Sequence, residues 1–517
     1  MSDSLTHRTI KNSVYSLIGF IGPLILSFVT LPIIILGLGS SRFGFYSLLN
    51  SVFVVFSLLD FGINYTFTKD LSENRQSPGG RELSVTFSST TILYALLGGF
   101  AMVCLFLFQG TFRSVFKIPD GFISSFGLAF FIMGLSFLMK MLTVSLMQIP
   151  YALQRQDIIT KISLANNAFL QIGSVIVLKT GHSIMSLLVI QLMSSAFMLL
   201  SLYFAWHRLA PDLKFVPVLS KRVLKTIGRQ GFWVFLSNTM GNILAQLDKF
   251  VLGAVWGPTS VGYYSAAQMV PEKISSTSFS LSHIFFPIFS EAYAYKQDVE
   301  NRVRAIFRRS LGIISLITAG LTVLVLLYGY QLVRFWVSKD FADHTALAVP
   351  ILALTYFLLS YNIFFHAFLS GLKALKFLAI STMVVALVDV AFMFLLIPRY
   401  GINGASAAYL LSGLPVLAFL YFIERRYLLS PSLECLKFYG AMFSRIFFTS
   451  GLAFMIGWWF LRPLAGSLGL VMAIGALTFG VYLAIYWLLG FFAPEDIALF
   501  KVYLGRFLGA FKKPKAL

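Results

Sequence analysis

Asn238, Asn242, Gln246, Lys249 and Gly253 follow one another at intervals of 4, 4, 3 and 4 in an otherwise apolar segment. On a helix that spacing lines them up as one polar stripe. Asp248 lies beside Lys249, about 100° around the axis at the edge of the stripe. Adjacent helical residues do not face each other, so the carboxylate and the ammonium each need a partner from another element. A second stripe holds Gln268, Glu272, Ser276, Ser280 and His283, with Lys273 beside it, and a third holds Ser163, Asn167, Gln171 and Ser174. Lys140 and Asp389 stand in further apolar runs. An ionisable group inside a membrane is a functional candidate by default, because placing it near the bilayer centre costs roughly 2.5–3.5 kcal/mol on insertion scales. Three ammonium groups, Lys140, Lys249 and Lys273, fit an anionic ligand group in a low-dielectric cavity, and phosphate is a natural one since lysine meets it as a point charge. Asp248, Glu272 and Asp389 are the acidic candidates for a cation-coupled cycle.

Other chemistries find no footing. The sequence contains no phosphate-binding GxxxxGK[ST] loop, no HExxH, no zinc-ligand spacing and no nucleophile elbow, so no metal site, cofactor or catalytic residue is expected. The two cysteines, Cys104 in an apolar run and Cys435 in a basic loop, make no disulfide framework. A net charge of +20 could fit nucleic acid, but the basic residues fall in short loops between apolar runs, which excludes that reading.

The elements that must position these residues are membrane helices. Of 517 residues, 58% are hydrophobic and only 12% charged, against about 25% charged in ordinary soluble domains. An apolar run of about 20 residues crosses the bilayer core. Fourteen such runs are predicted near 14–37, 43–66, 86–109, 121–148, 160–178, 183–206, 231–256, 261–290, 310–330, 346–370, 374–397, 404–424, 441–461 and 467–492. With the N-terminus placed in the cytoplasm, 29 of the 40 lysines and arginines fall in inside segments and 8 in outside loops. That asymmetry predicts both termini inside. The stretch 207–230 reads as an amphipathic surface helix on the cytoplasmic side. The tail 493–517 reads as a basic interfacial helix, since Phe500, Leu504, Phe507 and Phe511 recur at helical spacing among Lys501, Arg506, Lys512 and Lys513.

The chain also echoes itself. Ile35-Leu-Gly-Leu-Gly-Ser-Ser-Arg-Phe-Gly-Phe-Tyr-Ser47 resembles Val251-Leu-Gly-Ala-Val-Trp-Gly-Pro-Thr-Ser-Val-Gly-Tyr-Tyr-Ser265, with Gly44 and Gly262 218 positions apart. Lys179-Thr-Gly-His-Ser precedes Arg399-Tyr-Gly-Ile-Asn by 220 positions. Spans one to six are therefore expected to repeat as spans seven to twelve. The fold expected is all-α and integral to the membrane: a six-helix bundle over 1–206, the linker 207–230, a second six-helix bundle over 231–424, and two additional helices over 441–492. An even-numbered unit gives parallel repeats, with a substrate path between the halves. The lysines break the symmetry, since the positions equivalent to Lys249 and Lys140 are Leu31 and Leu358.

Leu247-Asp-Lys-Phe-Val-Leu-Gly253, followed by Val261-Gly-Tyr-Tyr-Ser-Ala-Ala267, resembles the seventh-to-eighth helix signature of Wzx-like polysaccharide flippases. Leu38-Gly-Ser-Ser-Arg-Phe-Gly-Phe-Tyr-Ser47, Leu59-Asp-Phe-Gly-Ile63 and Gly401-Ile-Asn-Gly-Ala-Ser-Ala-Ala408 resemble further segments of that family. Its superfamily also holds MATE antiporters and lipid II flippases, the two alternatives. The resemblance implies two six-helix bundles with two extra helices, alternating access of a cationic cavity to the two faces of the cytoplasmic membrane, and a polyprenyl-pyrophosphate-linked oligosaccharide as cargo. Lys249 would then hold the pyrophosphate, and the stripe of Asn238, Asn242 and Gln246 would meet sugar hydroxyls. Lys140, Lys273, Gln268 and Asn167 are further candidates for the substrate cavity. H⁺ or Na⁺ is the implied coupling ion.

Overall fold

The computed structural model of the protein describes residues 2–57, 63, 80–119, 121–122, 125–153, 155–181, 183–225, 246–294, 299–372 and 374–491. The predicted tail helix, and Asn238 and Asn242, lie outside the described residues.

Helices account for nearly all of the described chain. In order they are α1 (Ser2–Phe56), α2 (Arg81–Val115), α3 (Phe126–Ala152), α4 (Gln156–Lys179), α5 (Ile184–Leu209), α6 (246–256), α7 (Pro258–Met269), α8 (Glu272–Ala294), α9 (Val299–Trp336), α10 (Lys339–Thr345), α11 (Ala348–Gly371), α12 (Leu375–Gly413), α13 (Pro415–Tyr427), α14 (Ser432–Ile456) and α15 (Leu468–Leu488). Among the described residues, ten helices are long and apolar enough to cross a membrane. Two of them are bent by glycine. Gly39 takes φ 72° and ψ 166° inside α1, and Gly401 takes φ 55° and ψ −126° inside α12. Only glycine reaches such positive φ without strain, so each bend is written into the sequence. The positions matched to these glycines by offsets of 218 and 220, Gly257 and Gly181, also have positive φ, 78° and 80°.

The chain forms two compact units. The first comprises Met1–Gln268, Trp336–Ala348 and Ala374–Ser412. Within it α2 packs on α3 through small residues. A side chain at Gly98 would meet Leu138 and Met141, and one at Gly134 would meet Met102. Close backbone approach of this kind is how membrane helices gain packing without a hydrophobic driving force between them. Proline makes a second demand. Pro32 has no N–H to give the carbonyl of Phe28, four residues back. The Trp336 indole N–H donates to that oxygen at 2.7 Å and stacks its ring on Phe28, centroids 5.0 Å apart.

The stretch expected as a surface helix departs from that reading over its first half. Residues 213–220 form no regular element, and helix begins only at 221. Without a helical ladder their backbone amides need other partners, and α2 supplies them. Lys214 N–H donates to Ser84 Oγ (3.2 Å), Val216 N–H to Ser88 Oγ (2.7 Å) and Ser220 N–H to Ser89 Oγ (3.0 Å), while Ser89 Oγ donates to the Val218 carbonyl (3.0 Å). Pro217 explains why a helix does not run through.

The second unit comprises Met269–Phe335, Val349–Lys373 and Gly413–Leu517. Its apolar centre joins α9 to α14 and α15 through Leu316, Val323, Leu327, Ala453, Val471 and Ile474. Tyr328 and Thr478 share a hydroxyl bond of 2.8 Å, and Tyr482 donates to the Leu316 carbonyl at 3.0 Å. At one end of the unit Arg308 is held by two carboxylates. Its Nε donates to Glu424 at 2.6 Å, Nη2 also pairs with Glu424, and Nη1 reaches Glu434 at 2.5 Å. Glu424 is 0% exposed and Glu434 44%.

Removing Arg308 strands Glu424 as a lone buried charge, which costs about 3–5 kcal/mol. Arg308→Ala is therefore expected to lower the melting temperature of the purified protein clearly. Arg308→Ala with Glu424→Gln should recover most of the loss, because Glu434 keeps its access to water. Thermal unfolding followed by tryptophan fluorescence checks both, and wild-type melting of the single variant would contradict the pairing.

Candidate functional site

Asp248 and Lys249 part company in the structure. Asp248 is 1% exposed, and three donors satisfy its carboxylate. Tyr264 Oη donates at 2.5 Å and Gln268 Nε2 at 3.1 Å, both to Oδ2, and the Lys249 backbone N–H donates to Oδ1 at 2.7 Å. Tyr264 and Gln268 are one turn apart on α7, so one helix face presents both. Lys249 is half-buried, and among the described residues its ammonium makes no hydrogen bond or salt bridge. Its charge still acts on Asp248 through space. Gln246 is likewise half-buried.

A second carboxylate belongs to the same neighbourhood. Asp389 on α12 is 1% exposed, near enough to Asp248 to interact with it electrostatically, and neither of its oxygens has a hydrogen-bond partner among the described residues. An unpartnered carboxylate in apolar surroundings strongly favours a bound proton or a metal cation. The helices that bring the pair together are fixed near their ends. Gly401 opens the helix at the Ile397 carbonyl, and the Trp256 indole N–H takes that oxygen at 2.9 Å. That bond joins α6 to α12 eight residues beyond both Asp248 and Asp389.

The other candidates are scattered. Lys140 on α3 lies over the Phe53 ring, Nζ 4.6 Å from the centroid, in a cation–π contact. Asn167 donates to the Ser163 carbonyl of its own helix at 2.9 Å. Gln171 accepts from Thr30 on α1 at 2.6 Å, so part of that polar stripe holds helices together. In the second unit, Glu272 and Lys273 are exposed in the first turn of α8. Ser276 and Ser280 each donate to the carbonyl four residues back. The His283 side chain lies outside the described residues. Gln268, expected to meet ligand, spends an amide proton on Asp248. Sequence reasoning missed Tyr264. The signal was its four-residue spacing from Gln268 inside an already conspicuous motif.

The second halves of the two echoed segments meet in the first unit. Ser41 and Thr259 bond at 3.0 Å, and Ser47 and Ser265 at 2.6 Å; each pair is 218 positions apart. Between them Gly44 and Gly262 are so close that a methyl group on either would overlap the other segment's backbone, at Pro258 O and Gly262 N on one side and Ser40 O on the other.

Membrane-length helices carrying buried, bonded carboxylates define a multi-pass membrane protein with the architecture of a transporter. The chain belongs to the polysaccharide biosynthesis protein family, whose sequence model matches residues 9–293. A Shigella flexneri protein named "Putative O-antigen transporter" is 20% identical over 405 residues, covering 77% of this chain and 94% of that one. Among solved structures, the lipid II flippase MurJ in an inward closed conformation matches with a TM-score of 0.67 at 15% identity, over 92% of this chain and 98% of its own. An inward-facing multidrug resistance MATE transporter of the MOP superfamily matches at 0.62 and 14% identity, over 80% and 98%. At such identities the likeness is one of fold.

The Ser47–Ser265 bond predicts a crosslink. With Cys104 and Cys435 replaced, Ser47→Cys with Ser265→Cys should close to an intramolecular disulfide under mild oxidant, since the Oγ atoms already lie within bonding reach. Maleimide labelling of the denatured protein checks it; two free thiols after oxidation would contradict the contact.

Proposed function

We propose that the protein is a flippase carrying a polyprenyl-pyrophosphate-linked oligosaccharide from the inner to the outer leaflet of the cytoplasmic membrane, for surface polysaccharide synthesis. Support comes from the family, from the O-antigen transporter relative, and from the flippase and antiporter folds. In this reading the chain crosses the membrane fourteen times with both termini in the cytoplasm, as 29 basic residues inside against 8 outside favour. Residues 1–206 and 231–424 are parallel six-helix repeats, and the bends at Gly39 and Gly401 separate spans one from two and eleven from twelve. Alternating access opens the path to one face and then the other.

The observation that carries the reading is the contrast on α6: an Asp248 with three donors beside a Lys249 ammonium that makes no hydrogen bond or salt bridge among the described residues. An ammonium kept in the membrane interior with its neighbouring carboxylate already engaged is placed to meet an anion that comes and goes. Lys249, with Lys140, attracts the pyrophosphate, while Gln246, Asn242 and Asn238 meet sugar hydroxyls. Anionic cargo separates this function from export of cationic drugs. Asp248 and Asp389 form the coupling site, where H⁺ or Na⁺ relieves the repulsion of two carboxylates sharing an apolar interior.

Lys249→Ala is expected to abolish or strongly reduce flipping at wild-type protein level, and Lys249→Arg to retain more activity because the point charge persists. If Lys249 only balanced a carboxylate, Lys249→Ala with Asp248→Asn would restore transport. Accumulation of lipid-linked oligosaccharide on the inner leaflet of cells lacking the native protein is the readout. Full flipping by well-expressed Lys249→Ala would end the cargo-binding role.

The coupling site makes a separate forecast. Asp389→Asn should leave the protein folded and uncouple flipping from an imposed ion gradient. Proteoliposomes with pH and Na⁺ gradients applied separately identify the ion, and undiminished gradient dependence in Asp389→Asn would remove Asp389 from the site.

A further inference from the structure

In the first unit, α2 ends in a turn that departs from the chain's usual choice of residue. The Ile118 N–H donates to the Arg113 carbonyl at 3.1 Å and the Lys117 N–H to that of Ser114 at 3.4 Å. These are the two bonds that close a helix when the residue after its cap turns left-handed. That residue is Lys117, with φ 51°. Glycine holds the same place after α4 and α15, where Gly181 and Gly490 have φ 80° and 67° and donate to Leu178 and Trp487. Lys117 and Leu429 are the two non-glycine residues with positive φ among the described residues. A side chain in that conformation strains the backbone, so the lysine must do something there that glycine cannot.

What it does is seen at the end of α6. The last four carbonyls of a helix have no donor within the helix. Here the Gly257 N–H takes the Gly253 carbonyl at 3.0 Å, and Lys117 Nζ donates to the Val255 carbonyl at 3.0 Å. An ammonium in that place also meets the negative end of the helix dipole. The same turn touches α6 at two earlier positions. The Phe116 ring lies 5.9 Å from that of Phe250, and a side chain at Gly253 would come within 2.9 Å of Phe116 and 3.1 Å of Leu48. Lys249 and Asp248 stand six and seven residues before Val255, about two turns away on the same helix. Trp256 ties this helix end to α12; Lys117 ties it to α2. A shift of about 1 Å at a binding group is enough to impair its work, so the ties on α6 bear directly on both residues.

We infer that Lys117 is a positioning residue for the transport site: its ammonium, bonded to the Val255 carbonyl, ties the end of α6 to α2 and sets where Lys249 and Asp248 stand. The inference rests on the roles proposed above for those two residues, and a readout that needs no cargo separates the two ideas.

Lys117→Gly separates position from stability, because glycine relaxes the turn while removing the ammonium. It should melt at or above the wild-type temperature and yet flip lipid-linked oligosaccharide about two- to fivefold more slowly, the scale of one charge at a helix end. Lys117→Asn tolerates the left-handed turn without a charge, so it should show the same loss. Lys117→Arg keeps the cation and should retain most of the activity. For the readout without cargo, Lys249→Cys is introduced with Cys104 and Cys435 replaced, and its reaction with a soluble maleimide is timed in detergent. Adding Lys117→Gly should change that rate at least about twofold, and adding Lys117→Arg should not. A changed rate with undiminished flipping upholds the positioning and removes Lys249 from cargo binding. An unchanged rate overturns the positioning, whatever flipping does. So does a Lys117→Gly variant that melts clearly below wild type and loses activity in step, which would make the lysine an ordinary stabilising residue. Asp120 follows Lys117 by three residues. Asp120→Asn should leave the labelling rate unchanged; if it reproduces Lys117→Gly, that carboxylate is the lysine's working partner and the proposal falls.

Discussion

Hydrocarbon offers no hydrogen bonds, and this one deficit organises the protein. Every polar group carried into the membrane must find a partner in the chain or be kept for something that arrives. Most are settled locally. Serine and threonine hydroxyls along α2, α3, α9 and α11 return their protons to carbonyls three or four residues back. Where proline or glycine frees a carbonyl, an indole crosses over to take it, as Trp336 does at Phe28 and Trp256 at Ile397. The irregular part of the linker obeys the same rule by borrowing three serines from α2.

Against that settled background the unsettled groups stand out. Asp389 keeps two bare oxygens within electrostatic reach of an Asp248 that has three donors. Lys249 stands next to Asp248 with no hydrogen bond or salt bridge to its ammonium among the described residues. The inequality matters more than the number of charges. Tyr264 and Gln268 hold Asp248 in one place, so under the proposed coupling role an incoming cation would meet one fixed carboxylate and one that still has all its bonding capacity. A site of two equally satisfied acids would have little affinity for anything.

Much of this could be read from the sequence, and the limits have physical causes. Hydropathy found the apolar segments because length and composition are all that bilayer insertion asks of a helix. The echo of Gly44 in Gly262 and of Gly181 in Gly401 was visible because backbone geometry restricts those positions to one residue type. The stripe logic put Asp248 at the edge of the line that holds Lys249, but it did not assign partners, since a carboxylate's donors come from helices whose rotation the sequence leaves open. Thus Gln268, read as a ligand contact, proved to be Asp248's donor, and Gln171 proved to bind Thr30. Over 213–220 the linker is irregular rather than helical, because amphipathic composition does not by itself require a helix; Pro217 was the mark against one.

The contacts between residues 218 apart have one more consequence. A position that touches its own equivalent lies on the symmetry axis, as at the centre of an isologous dimer interface. Under the proposed repeat, Ser47 with Ser265 and Gly44 with Gly262 are the places where an ancestral half-length chain met a second copy of itself. On that proposal, joining the two copies in one gene would let residues away from the axis drift independently, as at Lys249 and Leu31. It would grant no such licence on the axis. There each residue would still be half of a self-complementary pair, and the chain would retain a homodimer's seam inside a single polypeptide.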